Sequence, residues 1–423
     1  MLHCDRQSLE KFFQGGDVDS ALIAEHLVSC VKCYRSAAAV VAELDERGRA
    51  PGKLSPAAIA FREIIGIEES RARAEVQAKG LVSLFLALDS TGQKKFLRSD
   101  PRSKKPEFVR AIIQSAKEKV FSDPKKAATL CNYGLNLVDE VEEAQPNVRS
   151  NLRSELLMEL GNARRLQVDL ESANELLDRA YRCLKDGSCD PGLMARLGSI
   201  RASVRLDDGK PDEALLLLFD VKKTYERTGE SLRVGRTMVQ IADIVSVFDP
   251  MEAYEIACDA LPHLGGDEDL RSRACARGMM IECLIEQNRT PEALREYREQ
   301  REFLYQFAEP AMQVRVRAME ARLAALLKHD EEALRLFLDV IDECFELGLY
   351  LLMTCYQLLL LGFYVDRKRW AKAGELCSFA AMEEEVPPGV RALWKNLEER
   401  TRAKTLEAVE LKEIRRLLRA EWR

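Results

Sequence analysis

The chain has 423 residues, of which 47% are hydrophobic and 32% are charged, and its formal net charge is −6. This balance is typical of a folded, helix-rich protein and excludes a disordered chain, and the length exceeds that of one ordinary domain. Because 64 basic residues are interspersed with 70 acidic ones, no global field favours nucleic acid or an anionic membrane, and we expect neither as a partner.

The residues at the amino terminus and the spacing of the cysteines indicate the cellular compartment of the protein. Charged residues between Asp5 and Lys11 interrupt any apolar run, so the chain does not begin with the pattern of a secretory signal. The twelve cysteines do not follow the spacing of a small disulfide-bonded scaffold, which fits a reducing environment. We therefore expect a cytoplasmic protein in which most cysteines are small core residues.

Potential metal ligands concentrate in the first 33 residues, where His26, Cys30 and Cys33 follow the spacing H-x3-C-x2-C. His26 and Cys30 are four residues apart, so they project from one face of a helical turn. Structural zinc takes four tetrahedral thiolate and imidazole ligands, and the remaining one must come from Cys4 or, failing that, from His3. The sequence therefore predicts a structural Zn²⁺ site formed by Cys4, His26, Cys30 and Cys33. The alternative is three buried thiols beside a surface histidine.

The pattern around these ligands resembles a known module. Cys4-Asp-Arg-x-x-Leu9 followed by His26-Leu27-x-x-Cys30-x-x-Cys33 resembles the zinc finger of zinc-binding anti-sigma factors. The resemblance covers the start of the chain and implies a small helical module that binds Zn²⁺ and a sigma factor. It leaves open whether Cys4 or His3 is the first ligand.

The residues after Cys33 weigh against sigma-factor binding. Inhibition of a sigma factor normally needs an extended amphipathic helix there, and the sequence offers only Tyr34 to about Glu43 before a Gly/Pro-containing linker at Arg47–Lys53. The basic stretch between Thr91 and Pro106 has no interleaved stacking aromatics, so we interpret it as a solvated loop.

From about residue 120 the chain repeats itself. A small residue recurs after each acidic or proline-containing turn, at intervals of 39 to 41 residues. The positions are Ala173, Ala214, Ala253, Ala293, Ala333 and Ala373, with a weaker copy at Ala127. Fixed self-similarity at this period predicts stacked helical hairpins, in which alanine lets the second helix of each pair approach the first closely.

The unit from about Ser154 to Leu184 resembles a tetratricopeptide repeat. The resemblance implies a superhelical solenoid whose first helices line a groove for a peptide or protein segment. By resemblance the groove positions are Asn162 and Arg165, with Arg196 from the next hairpin nearby. An amide and two guanidiniums suit a partner's backbone and carboxylate. The alternative is a solvated polar face.

The predicted fold class is all-α, with a zinc-stapled module over 1–45, connecting helices over 46–110, a solenoid over 111–400 and a capping helix over 401–423. The uncharged run Leu347–Val365 falls where a first helix belongs, so we assign it to the solenoid rather than to a membrane.

No catalytic or nucleotide-binding motif occurs, which predicts a protein that is not an enzyme. We expect a non-catalytic scaffold or regulator that binds protein, with an anti-sigma-like regulator of transcription as the alternative.

Overall fold

The structure is a computed structural model that describes residues 3–46, 56–141, 146–265, 269–307, 310–383 and 388–421. All regular secondary structure in these ranges is helical, which confirms the predicted all-α class. The predicted linker Arg47–Lys53 lies outside the described residues. The chain divides into two compact units, Met1–Gln114 with Leu137–Glu143, and Ser115–Asn136 with Ala144–Arg423.

Among its described residues the first unit contains five complete helices and two 3₁₀ segments. The helices are α1 (Arg6–Gln14), α2 (Ser20–Ser29), α3 (Val31–Glu46), α4 (Pro56–Ala87) and α5 (Ser90–Ser99), and the 3₁₀ segments are Pro101–Lys104 and Val138–Glu140. Two further helices, α6 (Pro106–Lys119) and α7 (Pro124–Leu137), cross the boundary between the units.

Side-chain caps fix the starts of α1 and α2. Asp5 accepts a hydrogen bond from the backbone N–H of Ser8 at 2.8 Å, and Asp19 accepts one from Leu22 at 3.1 Å. Gly15 ends α1 in the left-handed region at φ +79°, a conformation that glycine adopts without steric cost. Local side-chain caps thus define where α1 and α2 begin, and a glycine defines where α1 ends.

The core of the first unit extends beyond the predicted module. Side chains from α1, α2 and α3 pack with three from the start of α4, and all are buried. The α4 residues are Ala58, Phe61 and Ile65, and the ring centroid of Phe61 lies 6.4 Å from that of Phe12. The apolar residues of the first 45 positions therefore share one core with α4.

The second unit is a stack of helical hairpins. Its pairs are α8 (Pro146–Leu166) with α9 (Leu170–Asp186), α10 (Pro191–Asp207) with α11 (Pro211–Arg227), α12 (Ser231–Val245) with α13 (Pro250–Ala260), α14 (Leu270–Glu286) with α15 (Thr290–Phe307), α16 (Pro310–Leu326) with α17 (Asp330–Glu346), and α18 (Tyr350–Asp366) with α19 (Trp370–Ala380). A 3₁₀ segment, Leu261–Leu264, follows α13, and α20 (Pro388–Arg402) and α21 (Ala408–Glu421) end the unit. First helices of successive pairs also contact each other, as in α8 with α10 and α14 with α16.

Each recurring alanine occupies the same place, as the repeat predicts. Six are the fourth residue of a second helix and Ala127 is the fourth residue of α7, and all seven are 0% exposed: Ala127, Ala173, Ala214, Ala253, Ala293, Ala333 and Ala373. In the best tetratricopeptide match, a Cβ added to Gly161 on α8 would lie 3.4 Å from the carbonyl oxygen of Ala173 on α9. Small residues on both helices therefore permit the close approach.

The turn before several second helices passes through a left-handed residue. Gly209 has φ +70° before α11, whereas Val168 has φ +63° before α9. Asn288, Lys328 and Lys368 take the same conformation before α15, α17 and α19. A β-branched residue is the least suited to this region, and Val168 is 85% exposed, so packing does not compensate for its strain.

Two segments near the carboxyl terminus compare differently with the sequence: the uncharged run is a first helix as expected, and the terminal helix begins later than expected. The uncharged run forms α18 in the core, and in the described ranges no helix has the length and hydropathy to span a membrane. The predicted helix at 401–423 is α21, which begins only at Ala408 and packs on α18. Leu406 and Leu411 are buried, whereas Val409 is 77% exposed.

Replacing Val168 with glycine should stabilise the second unit. The substitution removes a left-handed penalty of about 1–2 kcal/mol and adds an entropic cost of about 0.5–1 kcal/mol, so the thermal midpoint should rise slightly. The reciprocal change Gly209→Val should lower it. Circular dichroism melts of the two variants and the wild type provide the measurement, and a lower midpoint for Val168→Gly would contradict this account of the turn.

Candidate metal centre and solenoid groove

Four side chains of the first unit converge near its amino terminus. The ligand atoms of His3, His26, Cys30 and Cys33 all lie within 4.8 Å of one another. The Sγ atoms of Cys30 and Cys33 are each 3.4 Å from Nδ1 of His3. In a tetrahedral zinc site with ordinary bond lengths, neighbouring ligand atoms are about 3.4–3.8 Å apart. The spacing and the donor set therefore fit Zn²⁺.

The junction of α2 and α3 brings three of these ligands together. His26 lies in the last turn of α2, and Cys30 caps that helix by donating its backbone N–H to the carbonyl of His26 at 2.9 Å. Cys30 has extended backbone angles, so the chain turns sharply and Cys33 enters the first turn of α3. Cys33 is 1% exposed and belongs to the core.

The environment of Cys30 favours the thiolate that a metal needs. A backbone hydrogen bond from Cys33 is the largest cause of a pKa below the ordinary value for Cys30. That N–H belongs to the first turn of α3, where the helix dipole also favours negative charge. Because metal binding deprotonates cysteine, this arrangement lowers the cost of forming the ligand.

The structure places Cys4 beside the cluster and His3 within it. The backbone N–H of Cys4 donates to Sγ of Cys33 at 3.3 Å, and burial raises the pKa of the Cys4 thiol. Such an N–H to sulfur bond is a typical outer contact of a metal thiolate. Of the predicted ligands, His26, Cys30 and Cys33 thus come together, with the alternative residue His3 as the fourth group.

The predicted groove residues lie on neighbouring first helices and bond within the chain. Arg165 donates to Oδ1 of Asn162 at 3.0 Å and to Oδ2 of Asp207 at 2.6 Å. Arg196 pairs with Glu159, its Nε lying 3.1 Å from Oε1. Each guanidinium therefore already has a carboxylate, so a partner's carboxylate would have to compete with an internal ion pair. These contacts join α8 to α10.

The same positions recur in later hairpins, where sequence reasoning did not single them out. Arg322 precedes Ala333 by as many residues as Asn162 precedes Ala173. Arg315 precedes Ala333 by as many residues as Arg196 precedes Ala214. The alanine spacing is thus a signal that would have identified both arginines of α16.

Comparison with known proteins gives no match by sequence, whereas the matches by structure include the two described here. The sequence matches no protein-family model and no curated protein. The structure is similar to a Rap protein complexed with Competence and Sporulation Factor, with a TM-score of 0.55 and 14% identity over 74% of this chain and 88% of that one. It is also similar to aspartyl phosphate phosphatase F from Bacillus subtilis, with a TM-score of 0.52 and 12% identity over 96% of this chain and 97% of that one. What they share is the fold. The likeness identifies a helical-repeat architecture and carries no activity with it.

We expect one Zn²⁺ per chain, lost when Cys30 is replaced by serine. The candidate site offers four protein ligands, and removal of one thiolate would leave the ion weakly held. Plasma emission spectrometry of the purified full chain measures the stoichiometry. Cys189→Ser is the matched control, because Cys189 is an exposed cysteine in the second unit. Wild-type protein free of zinc, or full zinc in Cys30→Ser, would contradict the site.

A second pair of variants separates the two candidates for the fourth ligand. His3→Ala should release zinc to a chelator faster than Cys4→Ala, since the imidazole of His3 lies within the cluster. A colour-forming chelator follows the release over time. The reverse order would assign the fourth position to Cys4.

Proposed function

We propose that the protein is a non-catalytic cytoplasmic scaffold or regulator that acts by binding other proteins. The solenoid would hold a peptide or protein segment on the side formed by the first helices α8, α10, α12, α14, α16 and α18, here called the first-helix face. The observation that carries the proposal is the likeness of this chain's fold to that of a Rap protein complexed with Competence and Sporulation Factor, over 88% of that chain. Helical solenoids commonly bind along such a face.

In this proposal the zinc has a structural role. Two histidines and two cysteines supply four ligands, which leaves no open coordination position for a substrate. The ion would tie the segment before α1 to the junction of α2 and α3. A cross-link of this kind stabilises a small helical core that has limited apolar surface of its own.

Binding of a sigma factor through the zinc module is the second candidate. It is supported by α3, which runs to Glu46 and is therefore longer than the sequence suggested, and by Leu22 on α2, which is 60% exposed. It ranks second because apolar side chains of α3 already pack inside the first unit. Val40, Val41 and Leu44 are buried in the unit's own core, so they cannot cover a partner without opening it.

Site-specific photo-crosslinking in the full chain tests both candidates. A benzophenone amino acid replaces Ser203, which occupies on α10 the position of Asn162 on α8, and separately Leu22. Leu216 is the control because it is 69% exposed on α11, a second helix. After irradiation in cells of the source organism, mass spectrometry identifies the crosslinked proteins.

We expect one specific protein crosslinked at Ser203 and absent at Leu216. A sigma factor captured from Leu22 alone would favour the second candidate. Crosslinks from Leu216 that match those from Ser203 would contradict binding on the first-helix face.

A further inference from the structure

A cavity of about 430 Å³ opens on the first-helix face of the second unit, where α21 lies against it. Its described lining includes Glu282 of α14, Arg315, Met319 and Arg322 of α16, Tyr356 of α18, and Arg415 of α21. We call it the α21 cavity. Its volume lies within the range of ordinary small-molecule sites, about 300–1,000 Å³.

Positive charge predominates on the wall of the α21 cavity. Its described lining carries three guanidiniums, those of Arg315, Arg322 and Arg415, against the single carboxylate of Glu282. Because like charges around one space repel each other, the wall is best neutralised by an anion within it.

Carboxylates behind the wall offset most of this charge, because Glu286 and Asp243 join Glu282 against four cations, the fourth being Lys412. Glu286 lies 2.8 Å from Arg322 and 2.5 Å from Arg415, and it also pairs with Lys412 at 3.2 Å. One carboxylate thus serves three cations, and together they hold the pKa of Glu286 far below its usual range despite its burial. Arg322 and Arg415 are only 15% and 9% exposed, so water screens them little.

Arg315 is the cation best placed to bind a ligand. Its ion pair with Asp243 spans 3.8 Å, which is too long for a hydrogen bond. Its side chain remains 34% exposed, on the wall of the cavity. A guanidinium offers paired N–H donors to a carboxylate, and Asp243 at 3.8 Å occupies none of those of Arg315 by a hydrogen bond.

The rest of the wall is largely apolar. Met319, Leu352 and Leu359 line the α21 cavity together with the ring of Tyr356, and Tyr356 is 7% exposed. An inorganic anion would leave this surface uncovered. A ligand with an apolar body would remove it from water, at about 25 cal/mol for each Å² buried.

We propose that the α21 cavity binds a small amphipathic monoanion, with its acidic group on Arg315 and its apolar body against α16 and α18. Because Arg415 belongs to the wall, the ligand also fastens α21 onto the first-helix face. This site goes beyond the protein-binding role and does not require it, since the cavity is complete within one chain.

The probe is decanoate, with decan-1-ol as the neutral analogue of the same length, and isothermal titration of the full chain measures binding. We expect decanoate to bind, and decan-1-ol to bind about tenfold to a hundredfold more weakly, the usual worth of a charged hydrogen bond. Equal affinities, or no binding of decanoate, would overturn the proposal.

The variant Arg315→Gln should weaken decanoate binding by the same factor, because it removes the charge and keeps much of the side chain. Arg335→Gln is the matched control, since Arg335 is 65% exposed on α17 and pairs only loosely with Asp339 at 3.6 Å. Unchanged affinity in Arg315→Gln, or an equal loss in both variants, would refute the assignment.

Hydrogen exchange of the wild-type chain gives a reading that does not depend on a variant folding. Decanoate should slow amide exchange in α16, α18 and α21 and leave α9 and α11 unchanged. Protection spread over all of these helices, or absent from α21, would indicate adsorption elsewhere and count against the site. Either outcome leaves the crosslinking test of protein binding unaffected.

Discussion

The close approach of two helices at an alanine governs most of the second unit. Six alanines stand at the same point of six second helices, and each is fully buried. Because a larger side chain would separate the helices, this one contact sets the spacing of each pair and therefore the direction in which its first helix faces. The internal ion pairs of Arg165 and Arg196 and the cavity wall of Arg315 and Arg322 all occur at positions counted from these alanines. A single packing constraint thus places both polar regions on one face.

The sequence was sufficient where the determining contacts are local or periodic. Repetition alone predicted the all-α hairpins, and the four-residue step from His26 to Cys30 predicted that these side chains converge. Sequence spacing cannot decide which of the adjacent residues His3 and Cys4 is a ligand. The path of the chain before α1 determines which of the two side chains faces the cluster. The contribution of α4 to the core was equally inaccessible. It depends on a contact between α4 and the earlier helices, and the residues between them carry no periodic hydrophobic pattern.

The ion pairs show the same distinction: the sequence reveals which residues are charged, but not which distant residues they pair with. The sequence led to the prediction that Arg165 and Arg196 are groove residues, but it did not reveal that their carboxylates come from neighbouring hairpins. Glu286, at the end of α14, meets cations of α16 and of α21, the latter more than a hundred residues later in the chain. Such pairs form only when hairpins stack, so composition and spacing cannot reveal which cations are already neutralised. The distribution that results is uneven, with closed ion pairs between α8 and α10 and surplus positive charge at the α21 cavity.

The candidate metal centre has the most definite chemistry in this protein, and X-ray absorption at the zinc edge tests it most directly. Coordination by His3, His26, Cys30 and Cys33 predicts two sulfur ligands at about 2.3 Å and two nitrogen ligands at about 2.0–2.1 Å. Three sulfurs and one nitrogen would place Cys4 in the site instead of His3. A first shell made of oxygen and nitrogen alone would contradict the assignment of this cluster as the metal centre.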